Sequence, residues 1–407
     1  MNIQTEKIFG KNKVEIQKKI ERIQNNIVGV KFLKAKYFDD IPIEGLPTPN
    51  YDENRTIFDI MENDVVPGCC IALINDFKIE WVKAYGINKI GTSEPITLNT
   101  LFQAASITKV LITLMTLHFI DKGILDLEKP INYKFKDWKI PDNEFTKDTQ
   151  ITLKHILTHT SGLNGPEGGF SREEGSLPTI NQVLNGEAPA KNQPAKVEFK
   201  PGSKFQYSNM GFIIIEKLLQ DITGKETNKI TQEVLYDPLG IKDCFLDFPS
   251  KKLQKRMTYP HDINGKAYEP YAGLSPTIYG CGGLICTPFD LAKIAIELMN
   301  AYQGKSYKII SPSLAKQMLT SNVALDPYKM LGLTNFGLGI FLLVKEHNFF
   351  FDHKGENYPG ASSALIADPQ SGQGVIMMSN SIAAHKQLFE SLKFTIAKEY
   401  KWQLWEG

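Results

Sequence analysis

The sequence predicts an α/β fold of the α+β kind, an antiparallel sheet flanked by helices and built from both ends of the chain, with an all-helical insertion between them. Three observations predict it. Residues 69–74 and 79–85 are short apolar runs around Asn75-Asp76-Phe77-Lys78, the pattern of a β-hairpin. Strand-like runs at 337–344, 348–352, 362–367 and 374–379 crowd the C-terminal part, broken by Gly355, Pro359-Gly360 and Pro369-Gln-Ser-Gly372 and followed by a helical pattern over 385–400. Between these ends the apolar periodicity is mostly helical. The expected division is an N-terminal helix and connector (1–56), an α/β part (57–124 and 286–407) and a mostly helical part (125–285).

Composition narrows the function classes. A chain of 407 residues can bury a large core, and 42% hydrophobic with 22% charged residues is ordinary for a soluble globular protein. A formal net charge of +1 gives no electrostatic case for nucleic acid or an anionic membrane as partner. The apolar runs are too short to span a bilayer, so no transmembrane segment is expected. Residues 1–13 contain no apolar leader core, so the protein either stays in the cytoplasm or has had a leader removed. Cys69 and Cys70 are adjacent, Cys281 and Cys286 lack metal-ligand spacing, and the total of five is odd, so each cysteine reads as a small buried hydrophobe.

Taken in order, residues 11–28 place Ile16, Ile20, Ile23 and Ile27 at helical spacing, an amphipathic helix fit to dock on the main body. Residues 33–56, with Pro42, Gly45, Pro47 and Pro49, read as an irregular connector. After the hairpin, residues 97–102 lead into Ser106-Ile-Thr-Lys109. The run from Val110 to Ile120 carries no charged stripe, so this helix is buried on most sides and closes at Asp121-Lys122-Gly123. Residues 124–160 hold short helical patterns and end in His155 and His159, four apart at a helix end. That spacing suits a metal, but with no following glutamate and no third ligand they read as packed or hydrogen-bonded. Residues 163–203 form a long segment with one short helix over 178–184 ended by Gly186, more the pattern of a site loop than of an idle one. Further helices are expected over 210–222, closed by Gly224, over 225–235, and over 287–299, where Thr287-Pro288-Phe289-Asp290 resembles a capping box.

Ser106 and Lys109 share one helix face if a helix starts there, which sets a hydroxyl beside an amine. A serine is a poor nucleophile unless a neighbouring base takes its proton, and a buried lysine can be that base. Ser-x-x-Lys recurs at Ser313 and Lys316, where a helix cap or first-turn serine and a solvated lysine explain it.

Ser106-Ile-Thr-Lys109, Tyr207-Ser-Asn209 and His353-Lys-Gly355, in this order, resemble the serine β-lactamase and penicillin-binding-protein superfamily. The resemblance covers about residues 58–400 and is closest to the branch of class C β-lactamases and their esterase and peptidase relatives. It extends to Val66-Pro-Gly68, His159-Thr-Ser-Gly162, Pro201-Gly202, Asp237-Pro-Leu-Gly240, and Gly282-Gly283 leading into Asp290-Leu-Ala.

The resemblance implies a β-lactamase/transpeptidase-like fold with the site between the sheet and the helical part. It implies Ser106 as the acylated nucleophile, Lys109 as its base partner and Tyr207 as a proton shuttle, with His353 heading the third motif. Asn209 would bind a substrate carbonyl or the lysine. The oxyanion would be held by the backbone N–H groups of Ser106 and of Glu356, just after Gly355. No metal or cofactor is implied, and the substrate is a small molecule or peptide. Where many β-lactamases and cell-wall peptidases have lysine and a small hydroxyl residue, this chain has His353 and Lys354. Lys354 is expected either to enter the pocket or, the favoured reading, to lie in water. The expected activity is ester or amide hydrolysis, esterase ahead of peptidase or amidase and of β-lactamase. The alternatives are a DD-peptidase or D-aminopeptidase-type penicillin-binding protein and a non-catalytic binding protein on the same scaffold. Residues 1–50 lie outside the resemblance and read as a docking, dimerisation or tethering segment.

Overall fold

The chain opens with β1 (Gln4–Ile8), α1 (Lys13–Asn25), β2 (Ile27–Phe32), β3 (Pro47–Arg55) and α2 (Ile57–Asn63). The computed structural model describes residues 4–32, 47–165, 177–326, 332–346, 348–385 and 387–402. Two features differ from the sequence reading here. The polar segment before α1 is strand β1, paired antiparallel with the later strand 78–86, and the second half of the expected connector is β3, paired with β2. Neither shows in an apolar pattern because β1 is an edge strand and almost wholly exposed. Residues 33–46 of that connector and 166–176 of the expected site loop lie outside the described residues.

The hairpin is β4 (Gly68–Asn75) and β5 (Lys78–Gly86). Its two central residues, Asp76 and Phe77, have φ of 50° and 57°, which matches the right-handed twist of the strands. A phenylalanine is costly there. It is held by its N–H bond to Gly372 O (3.0 Å) and by ring packing so close that a Cβ on Gly372 would lie 2.3 Å from Phe77 Cδ2.

The chain continues through β6 (Phe102–Gln103), α3 (Thr108–Asp121), α4 (Leu153–Leu157), α5 (Ile180–Asn185), α6 (Asn209–Thr223), α7 (Thr227–Thr231) and α8 (Asp237–Leu239). It then runs through β7 (Cys244–Phe245), α9 (Lys251–Gln254), β8 (Ile285–Cys286), α10 (Pro288–Tyr302) and α11 (Pro312–Met318). The last elements are β9 (Val323–Ala324), β10 (Asn335–Phe336), β11 (Phe341–Lys345), β12 (Asn348–Asn357), β13 (Ala361–Asp368), β14 (Gln373–Ser379) and α12 (Leu388–Tyr400). Among the described residues, nine strands form one antiparallel sheet in the order β1-β5-β4-β14-β13-β12-β11-β10-β9. A small sheet, β6-β8-β7, ties the start of the Ser106 segment to the later part of the chain.

Period-two alternation gives the sheet two apolar faces. On β4, Cys69, Ile71 and Leu73 face α1, α2 and α12, with Val375, Met377 and Ile366 beside them. Cys70, Ala72 and Ile74 face the opposite way, into a core that runs without a break into α3, α6 and α10. The adjacent cysteines therefore sit in different cores, and all five are free.

Expected ends hold where a local signal exists. Ser208 caps α6 by accepting from Gly211 N (3.2 Å), and Gly224 closes it at φ +69°. Ser313 and Lys316 are exposed on α11, whose cap is Ser311. At α10 only half of the expected capping box forms. Thr287 accepts from Asp290 N (3.3 Å), but the Asp290 carboxylate accepts instead from Lys242 N (2.8 Å) and Asp243 N (2.7 Å). That aspartate ties the helix to a distant loop, which no local pattern encodes.

Candidate active site

Strand β6 delivers the chain to Ala105, whose φ is +47°, uncommon for a residue with a side chain. A single turn of 3₁₀ helix (Ala105–Ile107) then passes into α3. Ser106 is half-buried while its neighbours are buried, so the turn presents this one side chain. Thr108 fixes it. Its hydroxyl donates to Ala105 O (2.6 Å) and accepts from Leu284 N (3.0 Å).

Lys109 is fully buried. Its Nζ donates to Ser106 Oγ (3.1 Å) and to Cys281 O (2.6 Å), and lies 4.9 Å from the centre of the Tyr207 ring and 5.7 Å from that of Phe212. The apolar side chains of α3 each stabilise by roughly 1.5–3 kcal/mol, and only such a helix can carry a buried amine. Tyr207 precedes the Ser208 cap and Asn209 is the first residue of α6, so one helix start places both.

His159 shapes this corner. It lies beyond the end of α4 at φ +54°, so it does not share a helix face with His155, which serves in the α4 cap. Its ring packs against Tyr207 at 4.2 Å and its Nδ1 accepts from Ser208 N (3.1 Å). Burial, then the charge of Lys109, holds it well below the ordinary histidine range and hence neutral. Phe205, Phe336 and Phe341 complete an aromatic wall.

The third motif lies on β12. Strand β11 pairs with it only as far as Phe341 opposite Asp352, so His353–Asn357 turn one edge toward Ser106. A Cβ on Gly355 would lie 3.0 Å from Ser106 N and 2.3 Å from Ala104 O. Ser363 on β13 donates to Ala104 O (2.7 Å), and Asn357 Nδ2 donates to Gln103 Oε1 (2.9 Å) and Gly282 O (3.2 Å).

His353 is buried, pairs through Nδ1 with Lys354 O (2.8 Å) and packs edge-on to Phe341. Burial, then Lys109, pushes it down to about 3. With Nδ1–H donating to a carbonyl, its Nε2 is a bare acceptor; His159, accepting at Nδ1, carries its proton on Nε2. Neither Nε2 has a hydrogen-bond partner among the described residues.

Lys354 corrects the sequence reading. It points neither into the pocket nor into water but to the opposite face of the sheet, where its Nζ pairs with Glu390 of α12. Lys393 pairs with the other oxygen of Glu390. Burial would raise the Glu390 carboxyl, but the two ammonium groups outweigh it and hold it down to about 2. His385 Nε2 donates to Gly355 O (3.0 Å), and burial, then Lys354, keeps that ring neutral by lowering it to about 4. Glu356 is exposed, with its carboxylate 4.0 Å from His385 Nε2.

Ser106, Lys109, Tyr207, His353 and Gly355 are thus brought together, with Asn209 and Glu356 on the elements that carry them. The sequence reading had His159 packed or hydrogen-bonded, as it is, but missed that its partner is Tyr207, and it missed Cys281 O, Glu390 and Glu216. A signal existed for Glu216, a charged residue directly after the apolar run 210–215.

The Beta-lactamase family model matches residues 54–388. The "Unguisins hydrolase ungD" of Aspergillus violaceofuscus is 25% identical over 281 residues, 64% of this chain and 46% of that protein. The "D-alanyl-D-alanine-carboxypeptidase/endopeptidase AmpH" of Escherichia coli is 28% identical over 214 residues, 52% of each chain. The chain spans about half the length of these curated relatives. Among solved structures, the octameric penicillin-binding protein homologue from Pyrococcus abyssi superposes with a TM-score of 0.69 at 21% identity, covering 85% of this chain and 76% of that one. The D-amino acid amidase from Ochrobactrum anthropi SV3 gives 0.66 at 20% identity, covering 84% and 97%. These two likenesses show a common fold.

Proposed function

The chain belongs to the beta-lactamase family of serine hydrolases, and from that premise we propose that it hydrolyses esters or amides through a covalent acyl-Ser106 intermediate, with esters preferred. The observation that carries this is the buried Lys109 amine 3.1 Å from Ser106 Oγ and beside the Tyr207 ring. In this reading the site lies between the sheet part (57–124 and 286–407) and the helical part (125–285), with β1 at the edge of the sheet and α1 packed behind it.

Ser106 Oγ attacks the substrate carbonyl and its proton passes into the Lys109 and Tyr207 pair. The N–H groups of Ser106 and Glu356 hold the developing oxyanion, and such preorganised donors are worth about 10²–10³ in rate each. Collapse expels the alcohol or amine, which takes up the proton, and water then attacks the acyl-enzyme with the same groups moving its proton. Asn209 orients the substrate.

The third motif supports the preference for substrates without a carboxylate. Lys354 is held by Glu390 on the far face, and His353 is buried and neutral, so neither offers a charge to a substrate carboxylate.

Intact-mass spectrometry after exposure to a fluorophosphonate, a p-nitrophenyl ester and a penicillin, on wild type and Ser106→Ala, tests the proposal. Expected is a fluorophosphonate adduct and ester turnover in the wild type and neither in the variant. Labelling that persists in Ser106→Ala would overturn the assignment, and a slow, stable penicilloyl adduct would move it towards a cell-wall peptidase.

A further inference from the structure

Lys109 Nζ makes its shorter bond, 2.6 Å, to the backbone carbonyl of Cys281, not to a side chain. That carbonyl takes one hydrogen of the amine and so aims the rest of the group at Ser106. Its place depends on what holds the loop between α9 and β8. On one side the loop is fixed by Leu284, whose N–H bonds Thr108 Oγ1 and whose carbonyl accepts from Ala104 N (2.8 Å). On the other side its anchor is Glu216, in the middle of α6. One carboxylate oxygen accepts from Tyr279 N (3.0 Å) and Gly280 N (2.8 Å), and the other from the Thr227 hydroxyl (2.7 Å). The approach is tight, since a Cβ on Gly280 would lie 2.8 Å from Phe212 O and 3.0 Å from Glu216 Cβ.

A buried carboxylate with three donors could be explained as a loop fastener alone. Two facts point further. Glu216 lies on the helix that begins at Asn209, directly after Tyr207 and the Ser208 cap, and the loop it grips carries the Lys109 acceptor. We propose that Glu216 is a positioning residue that fixes the Cys281 carbonyl against Lys109 and so locks the amine in register with both Ser106 and Tyr207. The inference rests on the hydrolase reading above. Burial pushes the Glu216 carboxyl up to about 7, against the bonds from Gly280, Thr227 and Tyr279, so its neutral form is accessible and glutamine is a close mimic, its amide oxygen accepting from Tyr279 N and Gly280 N while its NH2 donates to the Thr227 hydroxyl oxygen.

The test measures saturation kinetics of Ser106 phosphonylation by a fluorophosphonate on the full chain. Glu216→Gln is expected to label within about threefold of wild type, Glu216→Asp about tenfold slower and Glu216→Leu about 100-fold slower, with the loss in the maximal rate and not in half-saturation. In a Lys109→Met background, Glu216→Leu is expected to cost nothing further, because both changes remove one function. Hydrogen exchange at the Tyr279 and Gly280 amides should quicken in the Leu and Asp variants and stay slow in Gln. Wild-type labelling by a folded Leu or Asp variant overturns the proposal, as does an undiminished effect in the Lys109→Met background or slow labelling by Gln. Should Leu not fold, Asp carries the test. A wild type that takes no label at Ser106 would instead refute the hydrolase reading, and the exchange rates alone would then decide whether Glu216 holds the loop.

Discussion

Gly355 stands where the backbone of β12 passes against the Ser106 turn, and its missing side chain is what permits the approach. A methyl group there would meet Ala104 O at 2.3 Å, Ser363 Oγ at 2.5 Å and Ser106 N at 3.0 Å, so the strand edge would have to withdraw. Gly355→Ala is therefore expected to slow Ser106 phosphonylation by about 100-fold, the scale of losing one oxyanion donor, and to lower stability by roughly 1–3 kcal/mol through overpacking. Rate and melting curve measured together check it, and an unchanged rate would show that this edge does not serve the reaction. Ala105, one residue before the nucleophile, makes the complementary point. Its positive φ costs on the order of 1 kcal/mol and is held by the Thr108, Leu284 and Ser363 bonds around it.

Among elements, β12 and α12 form the mechanical unit behind the third motif. Lys354 and Lys393 converge on Glu390, and His385, just before α12, bonds Gly355 O. Glu390→Gln is expected to destabilise the fold by about 3–5 kcal/mol at neutral pH, since two largely buried ammonium groups lose their carboxylate. Glu390 is held down to about 2 against an ordinary 4.5, so its contribution is complete above about pH 4.5 and is lost as pH falls towards 2. The gap between wild type and variant in urea melts should thus be widest near neutrality and close in acid. A gap independent of pH would mean that the pair is not what Glu390 contributes. Alternation along a strand already puts Lys354 on the face opposite His353 and Gly355. What that face meets is a helix more than thirty residues later, which strand periodicity does not reveal.

For the whole molecule, the segment 4–25 completes one layer of the fold. Strand β1 extends the sheet beyond β5, and α1 buries Ile16, Ile20 and Ile23 against the layer that holds α12, with Arg22 paired to Glu399 (2.7 Å). Three buried isoleucines at roughly 1.5–3 kcal/mol each are comparable to the entire stability of a domain. Deleting residues 1–25 is expected to unfold or aggregate the protein, read by melting and size-exclusion chromatography. A truncated chain that melts like the intact one would reassign this segment to a tether. The described residues contain no helix long and apolar enough to cross a membrane. The sequence by itself determined what depends on near neighbours: the Ser106–Lys109 pair, because three residues apart share a helix face; the hairpin and late strands, from period-two runs between turn residues; and the ends of α3, α5 and α6, from caps and glycines. Only the tertiary structure decided the Cys281 carbonyl at Lys109, the Glu216 grip on that loop, the stacking of His159 on Tyr207 and the turn of Lys354 away from the site. Each of those joins residues dozens to hundreds of positions apart, through backbone groups that every residue carries or through faces whose partners local pattern does not name.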